Sequence, residues 1–220
     1  MASKPVSARS VIFGIVLSKG RIEALTDGIF AIAMTLLVLE LKVPELPKSI
    51  GSTALLQRLS ETGPAFFSFL VSFLYCGALW IMHHLAMHFI RHLQLALVWM
   101  NLLFLMSVSV LPFSCALLGH FLRNRAAQEI YFANLFVSAL LLLLQWLVAQ
   151  QKGLINRDDA RAATAMGQRL MVFPVALAVG MGVTLYQPMA GFYAMAAVLL
   201  GLRAWQRRQL TTPEPTLPSS

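Results

Sequence analysis

Six long apolar runs follow one another along the chain, and few charged residues interrupt them. Each run is continuous rather than alternating, which argues against the strands of a membrane barrel. About 20 apolar residues in a helix are enough to cross the hydrocarbon core of a bilayer. The pattern therefore predicts six membrane-spanning helices, at roughly 22–43, 64–90, 94–118, 128–150, 166–187 and 188–206.

The composition indicates an integral membrane protein. Hydrophobic residues make up 58% of the chain and charged residues 12%, whereas a soluble domain carries about a quarter charged residues. The net charge of +8 would favour a nucleic-acid partner in a soluble chain, but here the basic residues lie mostly between the apolar runs, and no nucleic acid is expected. Both cysteines, Cys76 and Cys115, lie inside apolar runs, so no disulfide framework is predicted.

The positions of Lys and Arg predict the orientation, because cytoplasmic segments carry an excess of both. With the N-terminus inside, 12 of them fall in inner segments and 5 in outer ones, so both termini are expected in the cytoplasm.

Residues 1–20 are interpreted as an uncleaved cytoplasmic lead-in, since no small-x-small cleavage site follows their short apolar run. Residues 21–207 are the predicted six-helix domain. Residues 208–220, rich in Pro, Ser and Thr, are expected to be a disordered cytoplasmic tail.

The first predicted helix combines charges at its start with a clean apolar stripe. Arg21, Glu23 and Asp27 come first, and no charge follows until Glu40. At 100° per residue, one side of this helix carries the apolar stripe, with Thr35 at its edge. The stripe consists of Leu25, Gly28, Ile29, Ile32, Leu36, Leu39 and Val43. Asp27 lies roughly 140° from Ile32 around the helix, so a stripe that faces a pore turns Asp27 into the subunit.

A carboxylate inside the subunit needs polar partners from other helices. The second and third predicted helices supply them at the level of Asp27, near the end that is expected in the cytoplasm. The sequence therefore predicts a structural polar network, in which the carboxylate anchors the helix. Its members are Arg21, Asp27, Trp80, His83, His84 and Asn101.

Three segments of the chain resemble the transmembrane protein 175 family, the potassium channels of lysosomes and bacteria. RIEALTDGIFAIAMTLLVLEL is similar to the R-x-x-x-F-S-D signature of the first helix, with Leu25 in place of Phe and Thr26 in place of Ser. SFLVSFLYCGALWIMHH and MNLLFLMSVSVLPF are similar to the bacterial branch. The resemblance implies a potassium-selective homotetramer of six-helix subunits in a bacterial inner membrane. It also implies that the first helices line the central pore, with no selectivity-filter loop.

The apolar stripe is the candidate constriction of such a pore. The sequence has no TVGYG loop and no Gly-rich re-entrant segment, so a ring of filter carbonyls is not expected, whereas apolar rings can gate a pore by dewetting. Four copies of Ile32, Leu36 and Leu39 would form such rings, and by resemblance the constriction of the family falls on these positions. Thr35 carries the hydroxyl at the edge of this stripe, and we expect it to contribute to the selectivity for potassium over sodium.

Three other functions are weighed against the channel. His84, His88 and His92 recur at a spacing that can bind a metal on one helix face, but no cysteine or nearby carboxylate joins them, and no metal is expected. A proton-coupled or ion-coupled transporter also uses intramembrane carboxylates and histidines, but usually shows repeats and broken helices. No G-x-S-x-G, HExxH or paired intramembrane aspartates occur, so no enzyme and no cofactor beyond the permeant potassium ion are predicted.

Overall fold

A computed structural model describes residues 11–12, 15–16, 18–47, 49–156 and 160–211 of the chain. Its regular structure is helical apart from a short antiparallel hairpin and an isolated bridge between Ile90 and Ile155. The hairpin pairs β1 (Val11–Ile12) with β2 (Ile15–Val16). The helices are α1 (Lys19–Val38), α2 (Ser52–Ser60), α3 (Gly63–Phe89), α4 (Leu95–Ser109), α5 (Leu111–His120), α6 (Arg125–Gln151), α7 (Ala160–Thr184) and α8 (Ala190–Thr211).

Four helices in the described ranges are long and apolar enough to cross a membrane. They are α3, the nearly continuous rod of α4 and α5, α6 and α7. Helix α1 has 20 residues but is charged near its start, and the apolar part of α8, Ala190–Leu202, is short. The prediction of an apolar, helical membrane protein is confirmed, while the count of six spans stays a prediction.

The ends of the helices differ from the predicted runs at three places. Helix α1 ends at Val38, ahead of the predicted end at residue 43, because Glu40, Lys42 and Pro44 follow and proline disfavours helix in the residue before it. Helix α2 lies between the first two predicted spans, where no helix was predicted. Helix α8 continues to Thr211, into the predicted disordered tail, and residues 212–220 lie outside the described residues.

The predicted third span is divided at Val110 into α4 and α5. Pro112 stands in the first turn of α5. Its ring nitrogen cannot donate to the carbonyl of Val108, and the ring would clash with that carbonyl in an unbroken helix. The two helices therefore meet at a small break and still form one rod from Leu95 to His120.

Helix α1 lies at one side of the bundle. It packs on α3, α4 and α5, whereas α6 packs on α4, α5 and α7, and α7 forms a hairpin with α8. Only one face of α1 is therefore covered by the chain. The residues of that buried face are Ile22, Thr26, Phe30, Ala33 and Leu37.

The hairpin between α7 and α8 allows the two helices to approach closely. A Cβ atom added to Gly191 would lie 1.9 Å from the Thr184 hydroxyl and 2.5 Å from the Gly180 carbonyl oxygen. The turn is tied to α6, because the Met189 backbone N–H donates to Gln128 Oε1 at 3.2 Å. The last two helices are thus held as one unit away from α1.

Candidate functional site

The outer face of α1 is apolar and uncovered in the single chain. Ile32 is 58% exposed, Leu36 41% and Leu39 66%. Leu25 and Gly28 continue the same exposed line toward the start of the helix. Most of the predicted stripe is therefore exposed in the single chain, but Ile29 is half-buried, Leu39 flanks the end of α1, and Val43 lies beyond the helix.

Thr35 is the hydroxyl on this exposed side of α1. Its Oγ1–H donates to the carbonyl oxygen of Ile32 at 2.8 Å. This hydrogen bond uses the only proton of the hydroxyl and leaves lone pairs on Oγ1 that can accept a hydrogen bond or coordinate a cation. Thr35 can thus offer an oxygen, but not a donor, to whatever the face contacts.

Asp27 lies on another side of α1, about 140° around the helix from Ile32, and is bound by α3, the second predicted span. Trp80 Nε1–H donates to Asp27 Oδ1 at 2.8 Å, and the His84 ring stacks on the Trp80 ring with centroids 5.8 Å apart. Asp27 is exposed in the single chain, where the sequence predicted a buried carboxylate. The expected burial is wrong for the single chain, because the covered face of α1 stops short of Asp27.

A second polar group is fully buried and joins three helices. His83 Nε2 lies 2.8 Å from Asn101 Oδ1, and Asn101 Nδ2 donates to Thr26 Oγ1 at 3.2 Å. The Thr26 hydroxyl donates in turn to the carbonyl oxygen of Ile22 at 2.9 Å. Because the Asn101 amide nitrogen is used toward Thr26, its oxygen accepts, and His83 Nε2 is the donor. This chain of hydrogen bonds anchors α1 to α3 and α4.

The six residues of the predicted network do not form one network. The structure brings Asp27, Trp80 and His84 together in one group, and His83 and Asn101 together in the other. Arg21 joins neither group. It is exposed, because it lies only about 20° from Ile32 around the helix, and among the described residues its side chain has no hydrogen bond or ion pair.

Lys19, rather than Arg21, makes side-chain contacts at the start of α1. Its Nζ donates to the carbonyl oxygen of Ile90 at 3.0 Å and lies 3.9 Å from Glu23 Oε1. These contacts join the start of α1 to the end of α3. The interaction was not predicted, because Ile90 lies 71 residues from Lys19 along the chain.

Thr26 is the residue that the sequence interpretation missed. It is buried and holds the end of the hydrogen-bond chain from His83. Two signals pointed to it: its hydroxyl at the Ser position of the signature, and its spacing of four residues from both Ile22 and Phe30 on the buried face.

The three histidines do not form a row on one helix. Helix α3 ends at Phe89, so His92 lies beyond it and does not continue the face of His84 and His88. In the parts of the chain that the structure covers, no group of three or more His, Cys, Asp or Glu side chains is placed to hold a metal.

Comparisons with known proteins cover the part of the chain that contains these groups. The family model for the endosomal/lysosomal potassium channel TMEM175 matches residues 21–112. A potassium channel of Streptomyces collinus is 38% identical over 152 residues, which are 66% of this chain and 72% of that protein. A potassium channel of Chamaesiphon minutus is 39% identical over 122 residues, 54% of this chain and 59% of that protein.

A solved structure extends the comparison to most of the fold. It is the crystal structure of a lysosomal potassium-selective channel TMEM175 homolog from Chamaesiphon minutus. The two chains are 28% identical, with a TM-score of 0.74. The match covers 86% of this chain and 97% of that one, so it includes helices beyond the region of the family model.

Proposed function

Because the chain belongs to the family of the endosomal/lysosomal potassium channel TMEM175, we propose that it is a potassium-selective cation channel and not an enzyme. The names of the Streptomyces and Chamaesiphon relatives support the choice of ion. The full proposal is a homotetramer in a bacterial inner membrane with both termini in the cytoplasm. Its partners are other copies of the chain, the bilayer and monovalent cations.

The observation that carries the proposal is the uncovered apolar face of α1. Ile32, Leu36 and Leu39 are exposed, whereas the face of α1 that carries Thr26, Phe30 and Leu37 is buried against the bundle. Arg21 lies on the same line in the first turn of the helix, so this face carries a charge at the end that is expected in the cytoplasm. A central water-filled path, shared by four copies, accommodates both the apolar rings and the charge at the entrance.

Three apolar rings of this kind form a hydrophobic gate. Water leaves a narrow apolar neck because no wall group replaces its lost hydrogen bonds, and such constrictions gate by dewetting. A larger cation sheds water at lower cost than a smaller one, which favours potassium over sodium. The Thr35 lone pairs, left free by its bond to the Ile32 carbonyl, compensate part of that lost hydration.

The two polar groups keep α1 in place while its outer face borders the pore. The buried chain through His83, Asn101 and Thr26 fixes the packed side of the helix. The hydrogen bond from Trp80 to Asp27 holds the side of α1 that carries Asp27 against α3. We infer that Asp27 is an anchor of the helix and not a ligand of the permeant ion.

Ion flux in liposomes tests the proposal. Purified protein is reconstituted and loaded with potassium or with sodium, and the outward flux of each ion is measured against protein-free liposomes. The expected result is a passive potassium flux that clearly exceeds the sodium flux and needs no proton gradient. Flux that occurs only when protons move in exchange would instead support a proton-coupled transporter.

A further inference from the structure

A cavity lies between the end of α3 and the start of α7, away from the pore-lining face of α1. Its volume is about 450 Å³. It is lined by apolar side chains, including Leu85, Phe89 and Met166, and by two arginines, Arg161 and Arg169. It opens at the end of the bundle that we propose faces the cytoplasm, because Phe89 ends α3 there and Ala160 begins α7.

Arg169 is the unusual residue of this cavity. It lies about two and a half turns into α7, inside the helix Ala160–Thr184 that is apolar enough to span a membrane. An arginine at this depth is costly unless its charge meets an anion or reaches the interface. Within the described ranges no carboxylate forms an ion pair with it, although the side chain is exposed to the cavity.

The two arginines can act on one ligand. They are eight residues apart on α7, a rise of about 12 Å along the helix axis, and both line the same cavity. Guanidinium groups bind phosphate oxygens in a bidentate manner. A group with a phosphate and further polar atoms fits between two such side chains.

The apolar side of the cavity is held in place by backbone hydrogen bonds. The Asn156 N–H donates to the Phe89 carbonyl oxygen at 2.8 Å, and the Arg91 N–H donates to the Leu154 carbonyl oxygen at 2.9 Å. The Phe89 ring also packs edge-on against Trp146, with centroids 5.8 Å apart. The wall that would contact a hydrocarbon chain is therefore preformed.

We propose that this cavity binds an anionic phospholipid of the cytoplasmic leaflet. The phosphate lies between Arg161 and Arg169, and the first methylenes of an acyl chain lie along Leu85, Phe89 and Met166. Charge complementarity selects an anion, and the apolar wall selects a lipid over a free phosphate. Basic pockets between membrane helices on the cytoplasmic side bind anionic headgroups in this way. The proposal concerns a lipid site and stands whether or not the protein conducts ions.

Lipid binding to the purified full chain in a neutral detergent tests the proposal. The probes are dioctanoyl phosphatidylglycerol, dioctanoyl phosphatidylcholine and inorganic phosphate. Each is titrated while the midpoint of thermal unfolding is followed, and native mass spectrometry counts the bound molecules. We expect phosphatidylglycerol to bind at one molecule per chain and to raise the midpoint, while phosphatidylcholine and phosphate leave it unchanged.

The variants Arg169→Gln and Arg161→Gln locate the site. Each should weaken phosphatidylglycerol binding about tenfold or more, the effect of losing one charge-assisted contact. Arg123→Gln, at an exposed position between α5 and α6 at the other end of the bundle, should leave binding unchanged. If Arg169→Gln does not fold, Arg169→Lys, which keeps the charge and loses the planar fork, replaces it.

Three results would overturn the proposal. Equal binding of phosphatidylcholine would show a lipid surface without charge selection. An equal shift with inorganic phosphate would show an anion site that needs no lipid. An equal loss of binding in Arg123→Gln would show a general response to net charge.

Discussion

Replacing Asn101 with leucine isolates the contribution of the buried hydrogen-bond chain. Asn101, His83 and Thr26 are all buried, so the leucine leaves two groups without their partner. Thr26 loses only the hydrogen bond that its oxygen accepts from Asn101, because its hydroxyl still donates to the Ile22 carbonyl oxygen at 2.9 Å. His83 loses the acceptor of its Nε2–H, which lay 2.8 Å away. A buried donor left unpaired costs about 1–3 kcal/mol, and hydrogen bonds between membrane helices fall at the low end of such values. We therefore expect Asn101→Leu to lower the free energy of unfolding by about 1–2 kcal/mol.

A double variant distinguishes an unpaired donor from a simple packing defect. His83→Phe combined with Asn101→Leu removes both partners, and the new ring keeps the place of His83 against Phe104, where the rings are 5.4 Å apart. Replacing both partners by apolar groups of similar shape is nearly neutral, so the double variant should regain most of the lost stability. Unfolding is followed by circular dichroism during titration with a denaturing detergent, and Gln168→Leu, an exposed amide on α7, is the control. The reasoning fails if Asn101→Leu is as stable as the control, or if the double variant is less stable than Asn101→Leu.

Three further predictions follow from single contacts. Asp27→Ala removes the acceptor of the bond from Trp80 and should reduce the yield of tetramer on size-exclusion chromatography more than it alters ion preference; normal assembly with altered selectivity would make Asp27 a pore ligand. Thr35→Val should lower the potassium-to-sodium flux ratio more than the total flux, and an unchanged ratio would place the hydroxyl outside the ion path. Gly191→Ala places a methyl group 1.9 Å from the Thr184 hydroxyl and should destabilise the fold by about 1–3 kcal/mol or more. Thermal unfolding compares it with Gly182→Ala, where an added Cβ meets nothing within 4 Å, and equal stability of the two variants would contradict the close approach of α7 and α8.

The sequence predicts the helices and the exposed face of α1 because both depend on local periodicity. Continuous apolar runs indicate the membrane helices, and the angle of each residue around α1 separates the exposed line through Ile32 from the buried line through Phe30. The break at Val110 is also a local effect of Pro112, and a close reading of the run that contains the proline is sufficient to expect it.

The partners within the polar groups depend on how whole helices pack, which periodicity does not describe. Depth in the membrane places Trp80, His83 and Asn101 near Asp27, but it does not say which of them faces it. His83 and Trp80 are three residues apart on α3 and are neighbours on its surface, so their spacing does not decide which of them reaches Asp27 and which reaches Asn101. Arg21 is predicted to join the network, but its angle around α1 places it on the exposed line with Ile32.

Flux through variants of the stripe tests the central claim most directly. Ile32→Asn and Leu36→Asn are reconstituted in liposomes, and potassium and sodium fluxes are compared with those of the unmodified protein and of Val175→Asn, an exposed apolar position on α7. If α1 lines the pore, asparagine wets the neck, so both stripe variants should raise total flux and lower the preference for potassium, while Val175→Asn changes neither. If both stripe variants fold as tetramers and conduct like the unmodified protein, the ion path does not run along this face of α1.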